Sequence, residues 1–254
     1  MSKPNFIELG KEHQIPILYE DRSVMAIDKP RSWMLVPFSW QKTNRNLQAA
    51  LVSSIAAGDY WARSRNLKFL RHIHRLDADT TGILLLAKSQ GALDTYGGLF
   101  ESRKMEKMYL AVVQGTPAQK EWTCQLKLGP NPEVIGKMLV DPRQGKDAET
   151  HFRILETRGN NSLIEARPVT GRTHQIRVHL AQSGCPVVGD DLYGTKPAKS
   201  KGSRLGLRAV FLSFKDPFDR HVVRIQAPTG GFLSEFGFAP SRKAATPRSV
   251  ESRC

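Results

Sequence analysis

Ile83-Leu84-Leu85-Leu86-Ala87 is an unbroken apolar run closed by Gly82 on one side and Lys88 on the other. Five residues are too few for a buried helix, and no alternation reserves one face for water, so the run reads as a strand covered on both faces. A polar stretch, His74-Arg75-Leu76-Asp77-Ala78-Asp79-Thr80-Thr81-Gly82, leads directly into it. Read alone, that stretch is a turn rich in ordinary turn residues. It also places Asp77, with an arginine two residues before it, on a loop fixed to a rigid strand, where catalytic groups tend to sit.

Other elements follow from spacing. Ile17–Asp21 and Ser23–Ile27 read as two strands around an Asp-Arg turn. Leu47, Leu51, Val52 and Ile55 repeat at helical spacing, with Asn44 or Asn46 as N-cap and Gly58-Asp59 as the stop. Ser89 suits the N-cap of a helix carrying Leu93, Tyr96 and Phe100, although Gly97-Gly98 weakens it. Strands are expected at 109–113, 151–156, 162–169, 207–214 and 222–227. A helix is expected over Thr173–Ser183, capped by Thr173 and stopped at Gly184. The body reads as one mixed α/β domain between a loose arm, residues 1–16, and a basic, flexible tail, residues 229–254.

Charge narrows the partner. Lys and Arg exceed Asp and Glu by 14, and two windows without acids, 61–75 and 194–208, hold much of the excess. They are either solvated loops or a surface for a polyanion. No apolar run approaches a membrane span, and the N-terminal residues lack a signal core. Three scattered cysteines offer neither a disulfide framework nor a zinc motif, which points to reduced thiols in the cytoplasm.

Two further segments carry chemistry. In Arg167–Leu180, Arg177 lies three residues from both His174 and Leu180. A helical arginine beside apolar neighbours needs a carboxylate partner; the alternative is a surface helix with solvated charges. In Lys107-Met108-Tyr109-Leu110-Ala111-Val112-Val113, Tyr109 is otherwise an ordinary strand aromatic.

HRLDADTTG, KMYLAVV and RPVTGRTHQIRVHLAQSGCPVVGDDLYG, in that order, resemble the three signature motifs of the RluA-type RNA pseudouridine synthases. ILYEDRSVMAIDKP resembles the family's opening strand pair and LRAVFLSFKDPF a later strand, so the resemblance spans about residues 17–228. It implies an α+β fold, the pseudouridine synthase catalytic domain, with a mixed, largely antiparallel central sheet flanked by helices and loops. It also implies an isomerase that converts uridine to pseudouridine in rRNA or tRNA without cofactor or metal. A monomer is the plain expectation. Asp77 would be the catalytic aspartate, as nucleophile or as base. Arg177 would pair with it and fix its direction, and Tyr109 would stack on the target uracil. Arg75 would fill the gap left by the flipped nucleotide. His74, Arg172 and Lys107, with Lys196, Lys199, Lys201 and Arg204 of a basic insertion, are the further RNA contacts expected. Only sixteen residues precede the opening strand, so the expectation is a catalytic domain without the S4 RNA-binding domain of some members. The chain departs from the family's usual pattern after Lys29-Pro30, where no histidine follows, and at Arg208, where a histidine is common.

Two rival readings differ in class. A non-catalytic RNA-binding protein fits the charge and would be indifferent to Asp77→Asn. Asp77-Ala78-Asp79-Thr80, with Gly189-Asp190-Asp191, superficially resembles the motifs of haloacid-dehalogenase-type phosphatases. In those the apolar strand precedes the nucleophile; here it follows.

Overall fold

The computed structural model describes residues 3–10, 13–35, 45–194 and 204–238. The chain opens with three strands, β1 (Phe6–Leu9), β2 (His13–Glu20) and β3 (Val24–Lys29), followed by the helices α1 (Leu47–Ala56) and α2 (Tyr60–Arg63). Next come β4 (Arg71–His72), β5 (Thr81–Ala87), α3 (Gln90–Glu101) and β6 (Glu106–Gln114). The strands β7 (Glu121–Cys124), β8 (Leu128–Pro130), β9 (Met138–Val140), β10 (Thr150–Arg158) and β11 (Asn161–Pro168) precede α4 (Gln175–Gln182). The strands β12 (Leu207–Lys215) and β13 (Val222–Gln226) and the helix α5 (Gly230–Glu235) complete the described chain.

Eleven strands form one sheet in the order β1-β2-β3-β5-β12-β6-β11-β10-β7, with β13 added to β12 and β4 to β5; β8 and β9 form a separate hairpin. Every pairing in the large sheet is antiparallel except β5 with β12. This is the α+β, mixed and largely antiparallel sheet expected from the sequence.

The central strands are buried on both faces because helices lie on both. Leu84 and Leu86 of β5 point into a core with α1 and α2, whereas Ile83, Leu85 and Ala87 point into one with α3 and β13. The same alternation sends Ala111 and Val113 of β6 toward α4, and Leu110 and Val112 toward Phe232 and Leu233 of α5. Asn46 caps α1 and Ser89 caps α3, each accepting a backbone N–H three residues on. The α3 helix runs through Gly97-Gly98.

Several expectations are corrected. The supposed N-terminal arm holds β1 and the start of β2, paired from Phe6↔Pro16 to Leu9↔His13, because Ile7, Leu9 and Ile15 supply a buried face. The tail begins with α5, which buries Phe232 and Leu233; residues 239–254 lie outside the described residues. Thr173 is not the cap of α4. That position belongs to His174, which is left-handed at φ 55° and makes no side-chain cap. No helix among the described residues is long and apolar enough to cross a membrane.

The two halves of the sheet meet at β5 and β12, paired only at Thr81↔Arg208 and Gly82↔Ala209. Gly82 has φ +106°, and a Cβ there would lie 2.0 Å from the Ala209 carbonyl oxygen. No other residue permits this approach.

Candidate active site

The turn between β4 and β5 carries Asp77 over that junction. Leu76 is buried beneath it, and Thr80 N–H donates to the Asp77 carbonyl at 3.2 Å. Lys29, wholly buried at the end of β3, ties the turn from below: its Nζ donates to the carbonyls of Ala78 (2.7 Å), Thr80 (3.0 Å) and Pro30 (3.0 Å). Burial pushes the Lys29 ammonium down to about 7, against the pull of Asp79 and Asp77. Three acceptors call for all three protons of the charged form.

Arg177 reaches the turn from α4, 100 residues later in the chain. Its Nη1 donates to Asp77 Oδ2 at 3.2 Å. The stronger attachment is to Asp190, which accepts Nε on Oδ2 and Nη2 on Oδ1, both at 2.8 Å. Asp190 Oδ1 also accepts the N–H groups of Leu192 and Tyr193. The guanidinium lies 5.2 Å from the Tyr193 ring centre. Burial works against its charge, but Asp190 and then Asp77 outweigh that and raise its pKa. The expected Arg177–Asp77 pair is therefore present, within a chain Asp190–Arg177–Asp77.

His174 stands on the other side of Asp77, with Nε2 3.8 Å from Oδ1 and Nδ1 hydrogen-bonded to the Tyr193 hydroxyl at 2.9 Å. Gln175 locks the preceding loop, accepting from Thr170 Oγ1 and Arg172 N and donating to Glu149 O and Thr150 Oγ1. Together these side chains wall a small cavity of about 90 Å³ with Arg75, Asp77, Thr80, Tyr109, Arg177 and Leu207 on its lining. Tyr109, half-buried on β6, is kept a neutral phenol by burial and then by the charge of Asp77. Thr80 is 2% exposed and its hydroxyl has no partner among the described residues.

The expected RNA contacts divide. Arg75 is exposed and lines this cavity and both of its neighbours. Lys107 and Arg172 line it too, each held by a backbone carbonyl: Lys107 Nζ on Thr170 (3.2 Å) and Arg172 Nε on Asp147 (2.9 Å). Burial lowers the Lys107 ammonium to about 8. His74 serves the framework. Its Nε2 accepts Leu85 N–H at 3.1 Å, its ring stacks on Phe100 at 4.6 Å, and burial drives its pKa to about 3. Arg204 is paired with Glu235 at 2.6 Å. Lys196, Lys199 and Lys201 lie outside the described residues, as do residues 36–44 of the stretch that follows Lys29-Pro30. Arg208 donates to Asp28 (2.6 Å) and to the Pro228 carbonyl. Within the first basic window, Arg65 is spent on Glu20 and two backbone carbonyls.

Sequence reasoning missed Lys29, Asp190 and Tyr193. Asp190 and Tyr193 lay within a quoted motif, and Lys29 stood beside a noted proline, yet only folding brings them to Asp77. Gly189-Asp190-Asp191, weighed as a phosphatase metal motif, instead anchors an arginine, and no cluster of metal-ligating side chains occurs among the described residues.

The family model for RNA pseudouridylate synthases matches residues 24–182. The chain is 34% identical over 233 residues to "Ribosomal large subunit pseudouridine synthase C" of Vibrio vulnificus (strain CMCP6), covering 88% of this chain and 69% of that protein. It is 36% identical over 220 residues to the protein of the same name from Escherichia coli (strain K12), covering 84% and 66%. Among solved structures, "Human RNA Pseudouridylate Synthase Domain Containing 1" superposes with a TM-score of 0.70 at 27% identity, covering 90% of this chain and 89% of that one.

Proposed function

The chain belongs to the RNA pseudouridylate synthase family, and on that premise we propose that Asp77 is the carboxylate of the reaction and large-subunit ribosomal RNA the substrate. The chain is an isomerase acting on uridine in RNA. The C1′–N1 bond breaks, a C1′–C5 bond forms, the C5 proton leaves and N1 takes one up. The change is redox neutral.

One observation carries the assignment of Asp77: its Oδ2 is held by Arg177 at 3.2 Å inside a cavity shared with Tyr109. Oδ1 accepts no hydrogen bond among the described residues and has only His174 Nε2 at 3.8 Å. It is the oxygen left to react, as nucleophile on the base or sugar or as base toward a proton. A uridine within a helix cannot reach it, so the nucleotide must be flipped out of its stack. Tyr109 then offers a stacking face, worth about 1–3 kcal/mol per base in comparable contacts. The Thr80 hydroxyl, buried in the cavity wall without a partner among the described residues, is a group that a seated uracil edge would have to uncover to bond, and Arg75, exposed at the mouth, would meet the vacated stack.

The substrate reading rests on the relatives named for the large ribosomal subunit and on the net charge of +14. Pseudouridine mapping of total RNA from cells carrying the wild-type protein or Asp77→Asn tests both parts. A large-subunit site lost in the variant is expected. A lost site in transfer RNA would transfer the assignment to that substrate, and an unchanged map would sink both.

A further inference from the structure

Beside the Asp77 cavity lies a second one of about 320 Å³, lined by Phe100 and Arg103 from the end of α3 together with Arg75, Lys107, Tyr109 and Arg172. We propose that it takes the nucleotide adjoining the uridine being isomerised, its base against Phe100 and its phosphate among Arg75, Arg103, Lys107 and Arg172. The proposal rests on the reading of Asp77 given above.

Continuity argues for it first. Arg75, Lys107, Tyr109 and Arg172 line both cavities, so a strand with its uridine at Asp77 passes into this chamber. Charge argues the same way. Four cations face a single acid, Glu101, and none of the four forms an ion pair among the described residues. The other neighbouring cavity sets Asp77, Asp79 and Asp191 against Arg75 and Arg177, beside Met34, Leu35 and Ile135, a poorer place for phosphate than four cations against one acid.

The backbone supplies an independent reason. Arg103 follows the C-cap of α3 in the left-handed region, φ 59°. There it closes the helix through Lys104 N–H to Leu99 O (2.9 Å) and Arg103 N–H to Phe100 O (3.2 Å). Glycine is the usual residue at that position, and any L-residue is strained in it. The left-handed backbone gains nothing from a Cβ; the charge of Arg103 suits the helix C-terminus and also gives the cavity a cation. Phe100 is likewise held ready. It stacks on His74, whose ring is pinned by Leu85 N–H, so the aromatic wall is already oriented.

The test measures the dissociation constant for transcribed large-subunit ribosomal RNA, in an Asp77→Asn background, from about 50 to about 200 mM salt. Arg103→Gly should weaken binding at least about fivefold and reduce the slope of log K against log salt by about 1, with an equal or higher Tm. Phe100→Leu should weaken it about fivefold or more with the salt slope unchanged, because a stack is lost and no charge. Unchanged affinity in both variants overturns the proposal. A lower Tm for Arg103→Gly without a change of salt slope also overturns it, since the arginine would then belong to the fold. Proton release from C5 of uridine by Asp77→Asn alone would remove the catalytic reading and leave these binding constants to judge the cavity.

Discussion

Arg177 meets Asp190 in a two-point fork, Nε to Oδ2 and Nη2 to Oδ1, each at 2.8 Å. Asp190 is 2% exposed and Arg177 5%. The fork places the charge of Arg177 without using Asp77 as its anchor, and leaves Nη1 to orient the Asp77 carboxylate. Asp190→Asn replaces an acceptor with an amide that cannot accept both bonds. Breaking a buried pair costs about 3–5 kcal/mol, and Tm should fall by roughly 10 °C at about 2–4 °C per kcal/mol. Turnover should drop about 100-fold as Arg177 loses its direction. Thermal melting and C5-proton release check both; a wild-type Tm would show the fork to be dispensable.

Asp77→Asn should abolish turnover, by at least about 1,000-fold, while RNA affinity stays within about threefold. The side chain is mostly buried, 17% exposed at the cavity edge, and its amide oxygen can still accept from Arg177, so Tm should move by no more than about 2 °C. Tritium release from uridine labelled at C5, beside filter binding, reads the two quantities separately. Measurable turnover would end the assignment.

Thr80→Val should leave Tm unchanged or slightly higher, because the hydroxyl lost is buried and without a partner. If that hydroxyl meets a uracil edge, kcat/KM falls about 3–10-fold, the value of one hydrogen bond of about 0.5–1.5 kcal/mol. Full activity at wild-type Tm would exclude Thr80 from substrate contact.

His74 makes stability depend on acidity. Its pKa is about 3 in the fold against 6.5 ordinarily, burial being the main cause. Between those values the unfolded chain binds a proton that the folded chain does not, so stability falls as pH falls from 6.5 toward 3. The slope attributable to one such group is at most about 1.4 kcal/mol per pH unit. His74→Gln keeps an acceptor for Leu85 N–H and cannot titrate. Its Tm should decline less than that of the wild type between those pH values; parallel declines would contradict the buried, neutral ring.

The sheet's middle was legible because β5 needs cover on both faces and reads as one apolar block. The capped helices α1 and α3 were legible from Asn46 and Ser89. The short pieces α2, β4, β8 and β9 carry too few residues for any period to emerge, and β8 ends in Gly129-Pro130. At the site, Asp77, Tyr109 and Arg177 lay in recognisable motifs. Lys29 and Asp190 act through contacts 49–51 residues and 13 residues away in the chain, which no local pattern encodes. His74, expected among the RNA contacts, has a framework role that its sequence neighbours do not reveal. Its Nε2 accepts Leu85 N–H, a contact eleven residues along the chain.

The two-residue seam between β5 and β12 has a consequence for how the chain becomes an enzyme. Gly82 and Ala209 are far apart along the chain, and the hairpins on either side of their junction can form before it closes. Asp77 sits on one side of that junction and Tyr109, Arg177 and Asp190 on the other. Neither side alone holds all four of these side chains. On the reading proposed for Asp77, the site is therefore complete only once the seam between β5 and β12 is made.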